Sequence, residues 1–248
     1  MTEAWFLAAA AAAFAGFSRG FAAFGTAMIY VPLMTLAFDA RTAVVTLFLI
    51  DILPAIPLVR RAWVDSDRIT LSWMALGAAL LSPIGVAILR IADRRLLELL
   101  LGLILLAATS VLLGGRNLRF SAGYRPAILA GGAAGLAGGI CGIFGPPAMI
   151  YLLGRGRRGP EIWADAVLFL TGESMLLGLV YVAYGMVRLS DLRLSLSLLP
   201  LYAGCCWLGA RSVSHAAEAS YRRVVLLLLW VMAALLALRA GWGLLSVY

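Results

Sequence analysis

Eight apolar runs joined by short polar loops constrain this chain more than any other feature. They lie at 5–38, 43–59, 69–89, 96–113, 127–153, 163–187, 192–210 and 224–245. A helix crosses the hydrocarbon core in about 20 residues, so six of these runs read as single spans. The first and fifth, of about 34 and 27 residues, exceed one span, and each contains a glycine-rich interruption. No loop has room for an extramembrane catalytic domain, so 1-248 reads as a single membrane domain embedded in a lipid bilayer. Composition agrees: 63% of residues are hydrophobic and 13% charged, against roughly 25% charged in soluble domains.

Several function classes drop out. All 20 basic residues are Arg, which removes the lysine of a phosphate-binding Walker loop and any Schiff-base lysine. One histidine, His215, and three cysteines, Cys141, Cys205 and Cys206, make neither a zinc site nor a disulfide framework. No Ser-His-Asp or paired catalytic carboxylate arrangement exists, so the chain is not expected to be an enzyme or to hold a cofactor or metal. The formal charge of +8 sits in short loops, where it orients a membrane protein, and predicts no nucleic-acid partner. The Ala-rich start at 5–16 carries Glu3 and no Arg before Arg19, so it reads as part of the mature fold and not as a signal peptide.

The two long runs expose an internal repeat. Their interruptions read GFSRGFAAFGTAMIYVP at 16–32 and GLAGGICGIFGPPAMIY at 135–151. Phe24-Gly25 with Ala27-Met28-Ile29-Tyr30 matches Phe144-Gly145 with Ala148-Met149-Ile150-Tyr151. Leu47-Phe48-Leu49 matches Leu168-Phe169-Leu170, and Arg94-Arg95 opens the fourth run as Arg222-Arg223 opens the last. Repeat one covers 1-115 and repeat two 123-248. Two halves that each begin with a broken hydrophobic segment are the signature of a secondary transporter.

With these motifs the chain resembles the sulfite exporter TauE/SafE-type permeases, whose members have two glycine-rich broken segments, each followed by three hydrophobic helices. The stretch from Gly139 to Pro147 and Tyr151-Leu152-Leu153 match the second segment closely. In the first, Gly20, Gly25 and Pro32 remain, while the usual triple glycine is Gly25-Thr26-Ala27. The short 63–68 stretch before the third run is similar too. The resemblance implies movement of small anions, chiefly sulfonates and sulfite.

The physics of the breaks stands beside that resemblance. Backbone broken inside a bilayer exposes N–H and C=O groups that protein or a wet cavity must satisfy. Consecutive prolines cannot continue a helix. A half-helix N-terminus offers free N–H groups and about half a positive charge, which suits an anion. Helices resuming near Thr26 and Ala148 would aim such ends at a site between the halves, so Gly25, Thr26, Gly142, Gly145, Pro146 and Pro147 are substrate-site candidates. Gly131 and Gly135 have the small-xxx-small spacing of helix packing.

Ionisable residues inside apolar runs are the other candidates, since a charge at a helix centre costs roughly 2.5–3.5 kcal/mol on insertion scales. Arg19, in the first break, either holds an anion by charge-assisted hydrogen bonds or snorkels to the headgroups. Asp51 and Glu173 occupy nearly equivalent places in the two halves, off by one residue. They are candidates for proton coupling, or for structural partners of Arg19 or a loop arginine. Asp165, close to a helix start, complements the helix dipole. Trp5, Trp63, Trp73, Trp163 and Trp242 fit an interfacial belt.

The expected fold is an all-α polytopic membrane protein of two repeats, each a broken, re-entrant segment plus three transmembrane helices, and inverted relative to one another. If every run crosses once, the arginines divide almost evenly. If the long runs are hairpins, Arg60, Arg61, Arg68, Arg116, Arg119, Arg125, Arg155, Arg157, Arg158, Arg211, Arg222 and Arg223 share one face against seven on the other. The positive-inside rule then puts these twelve in the cytoplasm and both termini on the non-cytoplasmic side of the cell (inner) membrane. The function expected is a secondary transporter of a small anion; the alternatives are a passive anion channel and a non-transporting scaffold. The sequence does not specify an oligomer.

Overall fold

The computed structural model describes residues 2–22, 25–113, 120 and 123–212. Among these residues the chain forms nine α-helices and no strand: α1 (Thr2–Ala22), α2 (Thr26–Thr35), α3 (Ala40–Ala62), α4 (Arg68–Ile91), α5 (Arg94–Leu113), α6 (Tyr124–Cys141), α7 (Gly145–Gly154), α8 (Gly159–Ala183) and α9 (Leu189–Ser212). Five of them, α1, α3, α4, α8 and α9, are long and apolar enough to cross a membrane. The last apolar run, with Arg222, Arg223, His215 and Trp242, lies outside the described residues.

α3, α4 and α9 outrun their apolar stretches by one to three residues at each end, and polar side chains cap the starts of α3 and α4. Asp39 accepts the Thr42 N–H at 3.3 Å and starts α3. Asp67 accepts the Thr70 N–H at 3.2 Å and starts α4. Such caps satisfy donors that have no partner within the helix.

The two long runs break where their glycines predict. Gly25 at the head of α2 has φ 86°, and Gly142 at the tail of α6 has φ 71°. This left-handed backbone penalises any residue with a Cβ. One expectation is corrected. The second helix resumes at Gly145, three residues before Ala148, with Pro146 and Pro147 in its first turn. Proline fits there because the first-turn N–H groups have no intrahelical partner and its fixed φ is already helical. The prolines therefore begin α7.

Small residues set the packing. A Cβ on Gly20 would lie 1.9 Å from the Cys206 carbonyl oxygen, and one on Gly16 would lie 2.4 Å from that of Tyr202. α1 thus runs along α9 in the same direction. A Cβ on Gly131 would lie 1.9 Å from the Met74 carbonyl oxygen, while Gly135 meets Ala78 and Gly139 meets Ser82. α6 and α4 therefore also run in the same direction, and Gly131 and Gly135 do serve packing. α3 and α8 run oppositely: Phe48 packs on Gly178, Asp51 meets Ser174, and Ala62 clusters with Ala164. Gly131→Ala is expected to cost about 1–3 kcal/mol by overpacking. Gly204→Ala, on an open face of α9, is expected to be neutral or slightly stabilising. Thermal unfolding in detergent checks both.

Candidate functional site

The two breaks meet. Gly25, Thr26, Ala27 and Met28 from one, and Gly142 through Pro146 from the other, line a cavity of about 540 Å³ counting its open mouth. α1 contributes Arg19, α3 contributes Val44, Leu47, Phe48 and Asp51, and α8 contributes Leu170, Ser174, Leu177 and Tyr181. A Cβ on Gly145 would meet nothing within 4 Å. Seven candidates from the sequence, Arg19, Gly25, Thr26, Gly142, Gly145, Pro146 and Asp51, are thus brought together. Pro147 and Glu173 are not part of the lining.

The two helix starts facing the cavity are chemically unequal. Among the described residues the first bonded donor in α2 is the Ile29 N–H, which reaches the Gly25 carbonyl at 3.2 Å, so the N–H groups of Thr26, Ala27 and Met28 precede the helical ladder. Thr26 is 7% exposed, and its Oγ1 has no hydrogen-bond partner among the described residues. In α7 two of the first three residues are proline and carry no N–H. The donor-rich end is therefore α2, while α7 presents a mostly apolar wall with Ile143, Phe144 and Pro146.

Arg19 is 2% exposed. Its Nε lies 3.1 Å from Asp51 Oδ1, and its NH2 group donates to Thr171 Oγ1 at 3.0 Å. The Tyr202 hydroxyl donates to Asp51 Oδ1 at 2.6 Å, and Ser174 Oγ donates to Oδ2 at 3.3 Å. The guanidinium thus points inward, without the reach to headgroups that snorkelling requires. Glu173 is buried on another face of α8, where its Oε1 meets Ser82 Oγ of α4 at 2.7 Å. Thr171 and Ser174, three residues apart, share the Arg19 side, and Glu173 falls between them in sequence but not in space. The polar run Thr171-Gly172-Glu173-Ser174 in an apolar segment was the available signal for these hydroxyls. Tyr202 carried none, because an aromatic on α9 looks like any other core residue.

Two further polar clusters tie the bundle at opposite ends of α3. At its start, Arg41 donates to Asp191 Oδ2 at 3.0 Å and to the Met186 carbonyl, and the Arg188 N–H reaches Asp191 at 2.9 Å. Beyond its other end, Arg155 donates to Asp67 Oδ2 at 2.8 Å, and the Asp67 N–H donates to Asp165 Oδ1 at 2.7 Å. Arg157 also pairs with Asp165. Asp165, fully buried, is therefore a cross-link between α8 and the start of α4 as well as an acid near a helix start. Burial of Asp67 raises its pKa, but hydrogen bonds from Thr70 and the Arg155 guanidinium outweigh that and hold it at about 2. Trp5, Trp63 and Trp73 are exposed near helix ends, as an interfacial belt requires. Cys141 and Cys206 are buried.

Apolar spanning helices around a buried cavity, with a guanidinium, a carboxylate and an open helix start in its wall, define a multi-pass membrane protein with an internal polar site. Within that class the particular family is settled by comparison. The family model for the sulfite exporter TauE/SafE proteins matches residues 8–236. The chain belongs to this family. No curated protein and no solved structure matches it.

Proposed function

We propose that this protein is a secondary transporter that moves a small anion, a sulfonate or sulfite, through the cavity between its two broken segments, and that it catalyses no chemical reaction. The observation that carries this reading is the start of α2: three N–H groups ahead of the helical ladder, a buried Thr26 hydroxyl with no hydrogen-bond partner among the described residues, and Arg19 in the same cavity wall. An oxyanion satisfies such groups.

The packing registers support inverted repeats. Consecutive spans α3 and α4 run oppositely, as do α8 and α9. Because α8 opposes α3, and α1 follows α9, α1 and α3 run the same way. The short α2 between them must then return to the side from which α1 entered. By the same logic α6 and α8 run the same way and α7 returns. Each half is then a hairpin plus spans, with opposite orientation, the arrangement that alternating access uses. Arg60, Arg61, Arg68, Arg125, Arg155, Arg157, Arg158 and Arg211 fall at one end of this bundle. That end is cytoplasmic by the positive-inside rule, with the start of α1 on the other face of the cell (inner) membrane.

The test is a thermal-shift screen of the purified protein against sulfite, sulfonates, carboxylates and phosphate, followed by flux in proteoliposomes. A sulfonate or sulfite should stabilise the protein by mass action. Thr26→Val should weaken that ligand by about 10–100-fold, the worth of a hydrogen bond to a charged group. Flux indifferent to every ion gradient would make the protein a channel, and no stabilisation by any anion would sink the transport reading.

A further inference from the structure

Arg19 and Asp51 neutralise each other inside the cavity before any substrate arrives. Their 3.1 Å contact lies in the cavity wall, and Thr26 lines the same space. The rest of the lining is mostly apolar, with Met28, Phe48 and Leu177 among it. A monoanion seated on the α2 start and the guanidinium would put two negative charges against one positive charge, with Arg19 and Asp51 both almost fully buried. An uncompensated buried charge is avoided by neutralisation, and two anions sharing one site force one of them to take up a proton. A sulfonate is the conjugate base of a strong acid, so the carboxylate takes it.

We propose that Asp51 is the coupling carboxylate: the anion takes the Arg19 fork only as Asp51 accepts a proton, and one proton travels with each anion. The inference rests on the transporter reading above. Atoms and charge balance simply. Asp51 gains one proton from water on the side of entry, Arg19 exchanges one oxyanion for another, and both proton and anion leave together on the far side. Thr171 keeps its bond to Arg19 NH2 through the exchange and so holds the guanidinium in the wall.

The groups facing Asp51 make it the better carrier. Arg19 reaches it from α1, the Tyr202 hydroxyl from α9 and the Ser174 hydroxyl from α8, while the Cys206 thiol of α9 lies within electrostatic range. α2 and the Gly142–Pro146 break bring no charge to the cavity. Tyr181 of α8 lines the cavity too, but its hydroxyl turns to the Gly138 carbonyl at 3.5 Å. Glu173 of α8 is buried too, as is Asp165 near the start of that helix. Glu173 faces Ser82 and lies outside the cavity wall, so an anion at Arg19 does not neutralise or repel it directly.

The test uses the full-length protein in nanodiscs and methanesulfonate, which stays ionised at every pH used. Titration calorimetry in buffers of different ionisation heat reads the protons taken up per anion. The wild type should take up about one proton, and its Kd should rise about tenfold per pH unit on the alkaline side. E173Q should keep both properties. D51N should bind methanesulfonate with neither proton uptake nor pH dependence. Binding without proton uptake by the wild type overturns the coupling but leaves the transporter reading intact. Loss of uptake in E173Q assigns the proton to Glu173 and overturns the proposal even if D51N fails to fold. Methanesulfonate and sulfite both failing to bind at any pH overturns the transporter reading and this inference together.

Discussion

Arg19→Ala is expected to abolish anion binding and to lower the melting temperature more than any other single change in the cavity. The side chain is almost fully buried, and its removal leaves the Asp51 carboxylate with only the Tyr202 and Ser174 hydroxyls of its described hydrogen-bond partners. Breaking a buried pair from one side costs about 3–5 kcal/mol, because the surviving charge stays in a poor environment. The double variant Arg19→Ala with Asp51→Ala should therefore be more stable than Arg19→Ala alone, although neither binds an anion. Arg19→Lys should recover only part of both properties. An ammonium cannot reach Asp51 and Thr171 together with the geometry of Nε and the NH2 group, and a fork that fits an oxyanion is lost. Thermal unfolding and methanesulfonate titration of the wild type, Arg19→Ala, Asp51→Ala and the double variant close a double-mutant cycle. A single Arg19→Ala variant as stable and as tight-binding as wild type would show that the pair contributes nothing.

The cavity was legible as a place before it was legible as a geometry. Arg19 and Asp51 stood out because charges within apolar runs are costly, and the breaks stood out because glycine clusters interrupt runs too long for one span. Which side each residue faces was not legible. Asp51 and Glu173 look equivalent in sequence, yet a one-residue offset turns a helix by about 100°, enough to put Asp51 on the cavity and Glu173 on Ser82. Proline excludes an interior N–H bond, which in sequence marks Pro146 and Pro147 as helix breakers, and the same chemistry lets them begin α7. In sequence Asp165 is legible only as an acid near a helix start. Its ties to the Asp67 N–H, 98 positions earlier, and to Arg157 depend on tertiary packing that no local pattern encodes.

Asp191→Asn and Asp67→Asn are expected to open the cavity toward opposite sides of the membrane. Asp191 sits in the first turn of α9 and Asp67 caps α4, each at the start of the second long helix after a broken segment. Each acid takes an arginine from the segment that follows the other broken helix, Arg41 after α2 in one case and Arg155 after α7 in the other. Alternating access needs one such tie to part while the other holds, because both open at once would leak. The Asp67 tie does not part by titration under ordinary conditions. With its pKa held at about 2 against an ordinary 3.8, the stability it contributes is fully present above 3.8 and is lost only as pH falls through about 2. On the transporter reading proposed above, substrate or proton binding in the cavity, not titration of Asp67, supplies the opening. Gly145→Cys supplies the reporter, since a Cβ there meets nothing within 4 Å, in a background lacking Cys141, Cys205 and Cys206. Labelled with an impermeant maleimide in right-side-out and inverted vesicles, the Asp191→Asn protein should react about 5-fold or more faster from the Arg41 side, a coupling of about 1 kcal/mol or more. The Asp67→Asn protein should gain a similar factor from the Arg155 side only. Asparagine preserves size and one acceptor oxygen at both positions, so the helix caps survive while the charge pairs do not. Equal gains from one side in both variants would mean that the two ties brace a single rigid body, and that the moving boundary between the halves lies elsewhere.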